Sequence, residues 1–360
     1  MDRSIIELED IIIGIKPVDG QWIEKARTRT SRLVMPTRAL GRLHDISERM
    51  CGISRTLQPS VRNKAVLIMA ADHGIVDEGV SAYPQEVTGE MIKTFLKDGA
   101  GINVISSYVG VQVQVVDVGI IPELDPNSLS GGEKLHIEKI RKGTSNFAKG
   151  PAMNLHDARQ SLMTGFTHAS RLFKNGTDII GTGDMGIGNT TPSAAIGSVI
   201  TGKRLDEMVG PGTGLDDKGI IKKKNAILRG IELNQPDPEN GLDILAKIGG
   251  FEIGAIAGTI LAAAFHQKPV VVDGLISTAG ALIAHCLCPA SAGYMFAGHC
   301  SEEPGHKAML AWLGLDPILD LGMRLGEGSG GALSMTIIEA AIRVLCDMMT
   351  FDEASVSNKE

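Results

Sequence analysis

Aromatic side chains are scarce: Phe, Tyr and Trp together make up 4% of 360 residues. A surface that stacks nucleic-acid bases needs more of them, which argues against one here. Nor is there a basic excess. Lys and Arg number 35 against 42 Asp and Glu, the net charge is −7, and no basic block interrupts the chain. Nucleic acid is therefore not an expected partner. Cysteines are five, an odd number thinly spread, which makes no disulfide framework and points to a reducing cytoplasm. The most apolar window, residues 251–265, is short for a bilayer and contains Glu252, so it reads as a buried core helix and no membrane partner is expected. The stretch "MDRSIIELEDIIIGI" mixes acids into its apolar residues and lacks the order of a secretory signal.

What is abundant is glycine, 44 residues, within a chain that is 43% hydrophobic and 21% charged. This is an ordinary globular balance, long enough for one large α/β domain and a smaller one. Short β-branched runs at 64–70, 112–117, 177–181 and 269–273 are apolar throughout, as strands are when helices cover both faces of a parallel sheet. Between them lie helical patterns near 87–109, 155–174, 220–233 and 251–266. The repeated βαβ order predicts an α/β fold with an open, doubly wound, mainly parallel sheet. Residues 1–55, broken at 34–43, and 303–360, interrupted at 326–331, look mostly helical and predict a small discontinuous domain from both termini. Residues 56–302 would form the large α/β domain with the site. The connection 121–154 is long for a structureless loop, and such loops are often functional.

Each strand runs at once into acids or glycines: Asp72-His73-Gly74, Asp117 with Gly119, Gly183-Asp184, and Asp273-Gly274. One such end is an ordinary cap; four on one sheet edge point to a site, because open parallel sheets bind ligands beyond their carboxyl ends. The third end belongs to "GTGDMGIGNTTPSAA", residues 181–195, which fits G-x-G-x-x-G. A dinucleotide loop comes first in its fold and has an acid about 20 residues on. Here the motif is mid-chain, and Asp206 falls in a turn-like "GKRLDE". The following Gly186, Gly188, Asn189, Thr190 and Thr191, opening a helix at Pro192 and Ser193, read instead as a cradle for one phosphate.

A second Gly-rich turn, residues 210–217, precedes Lys222, Lys223 and Lys224, one of which would set a point charge on phosphate while the others face solvent. The third, "MRLGEGSGGAL", places Glu327 between two glycines and between apolar helices. Partial burial there raises a carboxyl toward the range of a general base. His73 reads as structural. His285-Cys-Leu-Cys288 with His299 and Cys300 has poor zinc spacing, so no metal site is expected.

Taken together, "ADHGIVDEGVSAYPQEVT", "IRKGTSNFAKGPAM", "GDMGIGNTTPSAA", "GTGLDD", "GGFEIGAIAG", "VVVDGLISTAGAL" and "MRLGEGSGGAL" resemble the nicotinate-nucleotide–dimethylbenzimidazole phosphoribosyltransferase family of cobalamin lower-ligand synthesis, nearly end to end. The resemblance implies a Rossmann-like sheet with a small helical domain, a homodimer, and no cofactor. It implies phosphoribosyl transfer from nicotinate mononucleotide to a benzimidazole, with inversion at C1′. In that frame Glu327 removes the N–H proton of the attacking base, and Asp184 lies near the ribose or the developing charge. Gly183, Gly186, Gly188, Asn189, Thr190 and Lys223 hold phosphate or ribose. Tyr83, Pro84, Met91, Met185 and Leu325 line the benzimidazole slot. No pyrophosphate leaves, so the chemistry makes no demand for Mg²⁺.

The chain departs from the family pattern at three places. Asp184 stands where the family carries Glu, Pro211 where Arg is common, and "MPTRALGRL" replaces a "KPPGSLGRLE"-like entry. Among rivals, a phosphoribosyl-diphosphate-dependent transferase would need a second acid beside Asp273. A binding protein on this fold would have no use for Glu327.

Overall fold

The computed structural model describes residues 7–212 and 214–357; Thr213 of the second Gly-rich turn and the outermost residues, 1–6 and 358–360, lie outside them. Helices α1 (Leu8–Gly14), α2 (Gly20–Thr30) and α3 (Arg42–Ser54) precede β1 (Lys64–Ala71). There follow α4 (Val87–Leu96), α5 (Gly101–Val109), β2 (Val111–Gly119), β3 (Leu135–Ile137), α6 (Leu155–Lys174) and β4 (Ile179–Met185). Next come α7 (Thr190–Thr201), α8 (Leu205–Met208), α9 (Asp217–Asn234), α10 (Gly241–Ile248), α11 (Phe251–Phe265) and β5 (Val270–Val272). The remaining elements are α12 (Leu275–Leu287), β6 (Met295–Ala297), α13 (Pro304–Leu313) and α14 (Ser329–Asp347).

All six strands are parallel, in the order β3-β2-β1-β4-β5-β6. The winding reverses between β1 and β4, and the crevice beyond the strand ends at such a switch point is where open α/β sheets take ligands. The four expected strands are β1, β2, β4 and β5, with β4 running on into Asp184 and Met185. Strands β3 and β6 are three residues each, no shorter than β5, but their sequences, LHI and MFA, lack the β-branched run VVV that marks β5. The helix expected over 87–109 is two, because the chain turns at Asp98, whose φ is +58°.

Helix α11 lies on β1, β2 and β4 beside α6 and α12, while α14 lies on β4 and β5 and packs against α5 and α3. Successive side chains of a strand alternate in direction. In β4 this places Gly181 and Gly183 on the α14 side. A Cβ at Gly181 would meet Met335 Cε at 2.9 Å, and one at Gly183 would lie 2.6 Å from the Glu327 carbonyl oxygen. The G-x-G is therefore a close-approach device within a strand rather than part of a phosphate loop.

The two ends of the chain pack together. Ala26, Cys51 and Leu345 form a small apolar cluster, and the Arg29 guanidinium donates to the carbonyls of Leu345, Cys346 and Met348. Helix α13, grouped with the termini by sequence, packs instead on α7, α8 and α12. Among the described residues one helix, α14, is long and apolar enough to cross a membrane; 56% of that stretch is buried against the sheet and its neighbours.

Candidate active site

A cleft of about 530 Å³ opens at the carboxyl ends of β4, β5 and β6. Its centre is acidic. Asp184 ends β4 and is buried; its Oδ2 accepts from Asn189 Nδ2 at 2.8 Å, and its Oδ1 has no partner. Burial, reinforced by the charge of Asp273 and opposed by the Asn189 amide, pushes its carboxyl up to about 8. Asp184 therefore keeps its proton to higher pH than an exposed carboxylate does.

Glu327 faces Asp184 across the Gly-rich loop before α14. Gly326, Glu327 and Gly328 all have positive φ, +80°, +63° and +88°. Glycine adopts this freely, whereas for glutamate it costs about 1–2 kcal/mol. Two contacts hold the loop. Asp273, just after β5, accepts the N–H of Gly328 at 3.1 Å and of Gly331 at 2.8 Å, capping α14 from another strand end. Glu327 Oε2 accepts the Ile102 N–H at 3.2 Å, in the first turn of α5. Burial raises the Glu327 carboxyl above its ordinary value, the Ile102 N–H works against that, and Asp273 adds to it.

On one side of these acids the cleft is polar. Gly186, Asn189 and Thr190 line it, with Gly212, Ser301 and Glu303. The amide cradle is only partly available: the N–H of Ile187 donates to Thr88 Oγ1, that of Asn189 to the Gly186 carbonyl, and that of Thr191 to the Gly188 carbonyl. Of the three consecutive lysines, only Lys223 turns inward. Its buried Nζ donates to Thr190 Oγ1 at 2.7 Å and to the Gly210 carbonyl at 3.4 Å, and burial pushes it down to about 8. On the other side the wall is apolar, made by Tyr83, Val87, Met91, Met185, Leu275, Ile276 and Leu325. Tyr83 and Leu325 are half exposed at its mouth.

Nine of the residues expected from sequence thus meet in one cleft: Glu327, Asp184, Gly186, Asn189, Thr190, Tyr83, Met91, Met185 and Leu325. Four do not line it. Gly183 lies in β4 under the Glu327 backbone, and Gly188, at φ +88°, packs on Val76. Pro84 opens the turn into α4, its carbonyl accepting the Val87 N–H, and Lys223 stands behind Thr190. Asp206 pairs with Lys224 at 2.7 Å on the surface.

Two of the four strand-end acids, Asp72 and Asp117, lie outside the cleft and bond neighbouring backbone N–H groups. Asp72 accepts the Ile121 N–H, and Asp117 accepts those of Gly119 and Ile120 while pairing with Lys139. His73 is buried against Glu252 at 2.7 Å, beneath Gly186. His285 sits edge-on to Trp312. No residue of the long connection 121–154 lines the cleft, which removes the reason for giving that segment a role there.

The sequence reading missed His299, Ser301, Glu303 and Arg324 as cleft residues; the first three follow β6, which was itself unseen. A larger groove, about 780 Å³, runs beside α5 and the amino end of β2, away from the strand ends where such folds bind ligands.

The chain is similar to known proteins over nearly its whole length. The family model described as Phosphoribosyltransferase matches residues 15–356. The chain is 47% identical over 353 residues to the nicotinate-nucleotide–dimethylbenzimidazole phosphoribosyltransferase of Geotalea uraniireducens, covering 98% of this chain and 99% of that one. It is 49% identical over 350 residues to the protein of the same name from Desulforudis audaxviator, covering 97% and 98%. The crystal structure of CobT from Thermus thermophilus superposes with a TM-score of 0.89 at 42% identity, over 94% of this chain and all of that one. By family model, near-full-length identity and fold alike, the chain belongs to the nicotinate-nucleotide–dimethylbenzimidazole phosphoribosyltransferase family.

Proposed function

We propose that the protein transfers the 5-phosphoribosyl group of nicotinate mononucleotide to a benzimidazole-type base, giving α-ribazole 5′-phosphate and nicotinate with inversion at C1′. The single observation that carries the reading is the placement of Glu327. Its carboxylate is buried, anchored through one oxygen by the Ile102 N–H, and set in the cleft wall between an apolar slot and Asp184. This suits a base that must meet a flat heterocycle on one side and a sugar on the other.

In this reading the heterocycle lies among Tyr83, Met91, Met185 and Leu325. Its pyridine-type nitrogen donates a lone pair to C1′ as the bond from C1′ to the pyridinium nitrogen breaks. That electron pair leaves on nicotinate, which departs neutral at nitrogen and needs no acid. The proton on the other benzimidazole nitrogen goes to Glu327. Positive charge gathers on the ribose at the transition state, and Asp184, its proton released to solvent under the field of the pyridinium ring, opposes it across the cleft. The phosphate sits at the polar end, near Thr190 and Gly212, with Lys223 behind them. A homodimer, which the family resemblance implies, belongs to the same proposal, and sedimentation tests it.

The deciding experiment incubates the protein with nicotinate mononucleotide and dimethylbenzimidazole, beside a panel of other aromatic bases. Mass spectrometry should find one ribazole phosphate per nicotinate released, and NMR coupling at C1′ should report the α anomer. Release of nicotinate without a ribazole product, or a β anomer, would overturn it.

A further inference from the structure

The segment after β6 presents alternate residues, His299, Ser301 and Glu303, to the cleft, as an extended chain does. All three are buried; the Ser301 hydroxyl accepts the Glu303 N–H at 3.3 Å, but His299 and Glu303 are poorly satisfied. His299 is 1% exposed and neither ring nitrogen has a hydrogen-bond partner; its Nε2 stops 3.6 Å from Asp273 Oδ1. Glu303 accepts the Gly212 N–H at 3.0 Å through Oε1, while Oε2 has no partner. Buried polar atoms are nearly always paired, so three orphans on one strip of a cleft wall call for a ligand that pairs them.

The chemistry of the strip selects the group. A carboxylate oxygen only accepts, and a neutral imidazole offers one acceptor nitrogen. A carboxylate also repels a phosphate or a second carboxylate. Nicotinate mononucleotide carries both of those anions, and its pyridinium nitrogen, bonded to C1′, has no hydrogen to give. Its neutral donors are the 2′- and 3′-hydroxyls of the ribose. Position agrees with chemistry. His299 neighbours Asp273, which pins the Glu327 loop, and Glu303 is bonded to Gly212, which lies against Thr190. A sugar on this strip has C1′ toward the acids and C5′ toward the polar end.

We propose that His299 and Glu303 form the ribose subsite, accepting the sugar's two hydroxyls and so selecting a ribonucleotide donor. This rests on the reading of the donor as nicotinate mononucleotide. The test is calorimetric binding of nicotinate mononucleotide and of its 2′-deoxy and 3′-deoxy forms to the wild type, Glu303→Gln and His299→Leu. Glutamine keeps an oxygen for Gly212, and leucine fills the imidazole's space; thermal melting checks that each folds, and either variant suffices. The wild type should bind the deoxy donors roughly tenfold to a hundredfold more weakly. Each variant should lose a similar factor on the parent donor and almost none on the donor lacking its hydroxyl. Equal losses on all three donors, or a wild type indifferent to the hydroxyls, would overturn the subsite. Turnover with dimethylbenzimidazole is measured separately, so an inactive protein counts against the proposed reaction while the titrations still decide the subsite.

Discussion

Across 225 residues of chain, the Ile102 N–H donates to Glu327 Oε2 at 3.2 Å. One side chain thus does two things: it caps the first turn of α5 and presents a carboxylate to the cleft. The two roles separate under substitution. Glu327→Gln keeps an oxygen for Ile102 but has no basicity. It should melt near the wild-type Tm and bind the nucleotide with unchanged affinity, while kcat falls roughly 10²- to 10⁴-fold. Glu327→Ala should lose the same activity and about 1 kcal/mol of stability besides, the usual cost of a lost cap. Full turnover by the glutamine variant would show that the proton goes elsewhere.

The same carboxyl sets the acid side of the pH–rate profile. Burial, and then the charge of Asp273, hold Glu327 above the ordinary carboxylate range. A base works only when ionised, so kcat/KM should fall as pH drops through that raised value, earlier than an exposed glutamate would dictate. Replacing Asp273 with Asn removes the neighbouring charge but also one loop acceptor, so the more telling comparison is Glu327→Gln. Its small residual rate should be flat across the acid limb, and a limb that persists would assign the titration to another group.

Asp184 makes stability depend on pH in the direction opposite to most carboxylates. Its folded value is about 8 against 3.8 for a free side chain, chiefly through burial. Between those two values the folded protein holds a proton that the unfolded chain has released. Stability therefore falls as pH rises through the window and levels off above it. The slope from this one group approaches 1.4 kcal/mol per pH unit, roughly. Denaturant unfolding at pH 5, 6, 7 and 8 should find a decline in the wild type that is much shallower in Asp184→Asn. Parallel slopes would place the burial penalty on other acids.

Much of this was legible in the sequence, for identifiable reasons. Apolar β-branched runs gave β1, β2, β4 and β5, and a Gly-flanked acid gave Glu327. Chemistry that depends on long-range pairing was not legible: nothing in residues 101–109 announces that Glu327 will cap them. Short elements without a β-branched run were silent too. With β6 only three residues long and free of β-branched side chains, the alternation of His299, Ser301 and Glu303 had no strand on which to be recognised. Composition could not choose among three lysines, whereas the fold turned Lys223 inward and left Lys224 to Asp206.

The glycines of "GTGDMG" were legible as a motif but not as what they are, and that difference is itself testable. Gly181 and Gly183 share the α14 side of β4, so a methyl group at either points into the same interface. The neighbours differ. At Gly181 the added carbon would meet Met335 Cε at 2.9 Å and Val66 Cγ2 at 3.0 Å, both side-chain ends, one of them a flexible thioether that can swing away. At Gly183 it would lie 2.6 Å from the Glu327 carbonyl oxygen and 2.9 Å from its carbonyl carbon, and a backbone cannot swing. The Glu327 loop must lift by several tenths of an ångström or more, carrying the carboxylate with it. Misplacement of a reacting group by about 1 Å costs on the order of 10²-fold in rate. Gly183→Ala should therefore lose roughly that much in kcat/KM, and Gly181→Ala should lose Tm with little change in rate. If the two variants were equally active, the strand glycines would not be spacers beneath the base, and the loop would owe its position to Asp273 and Ile102 alone.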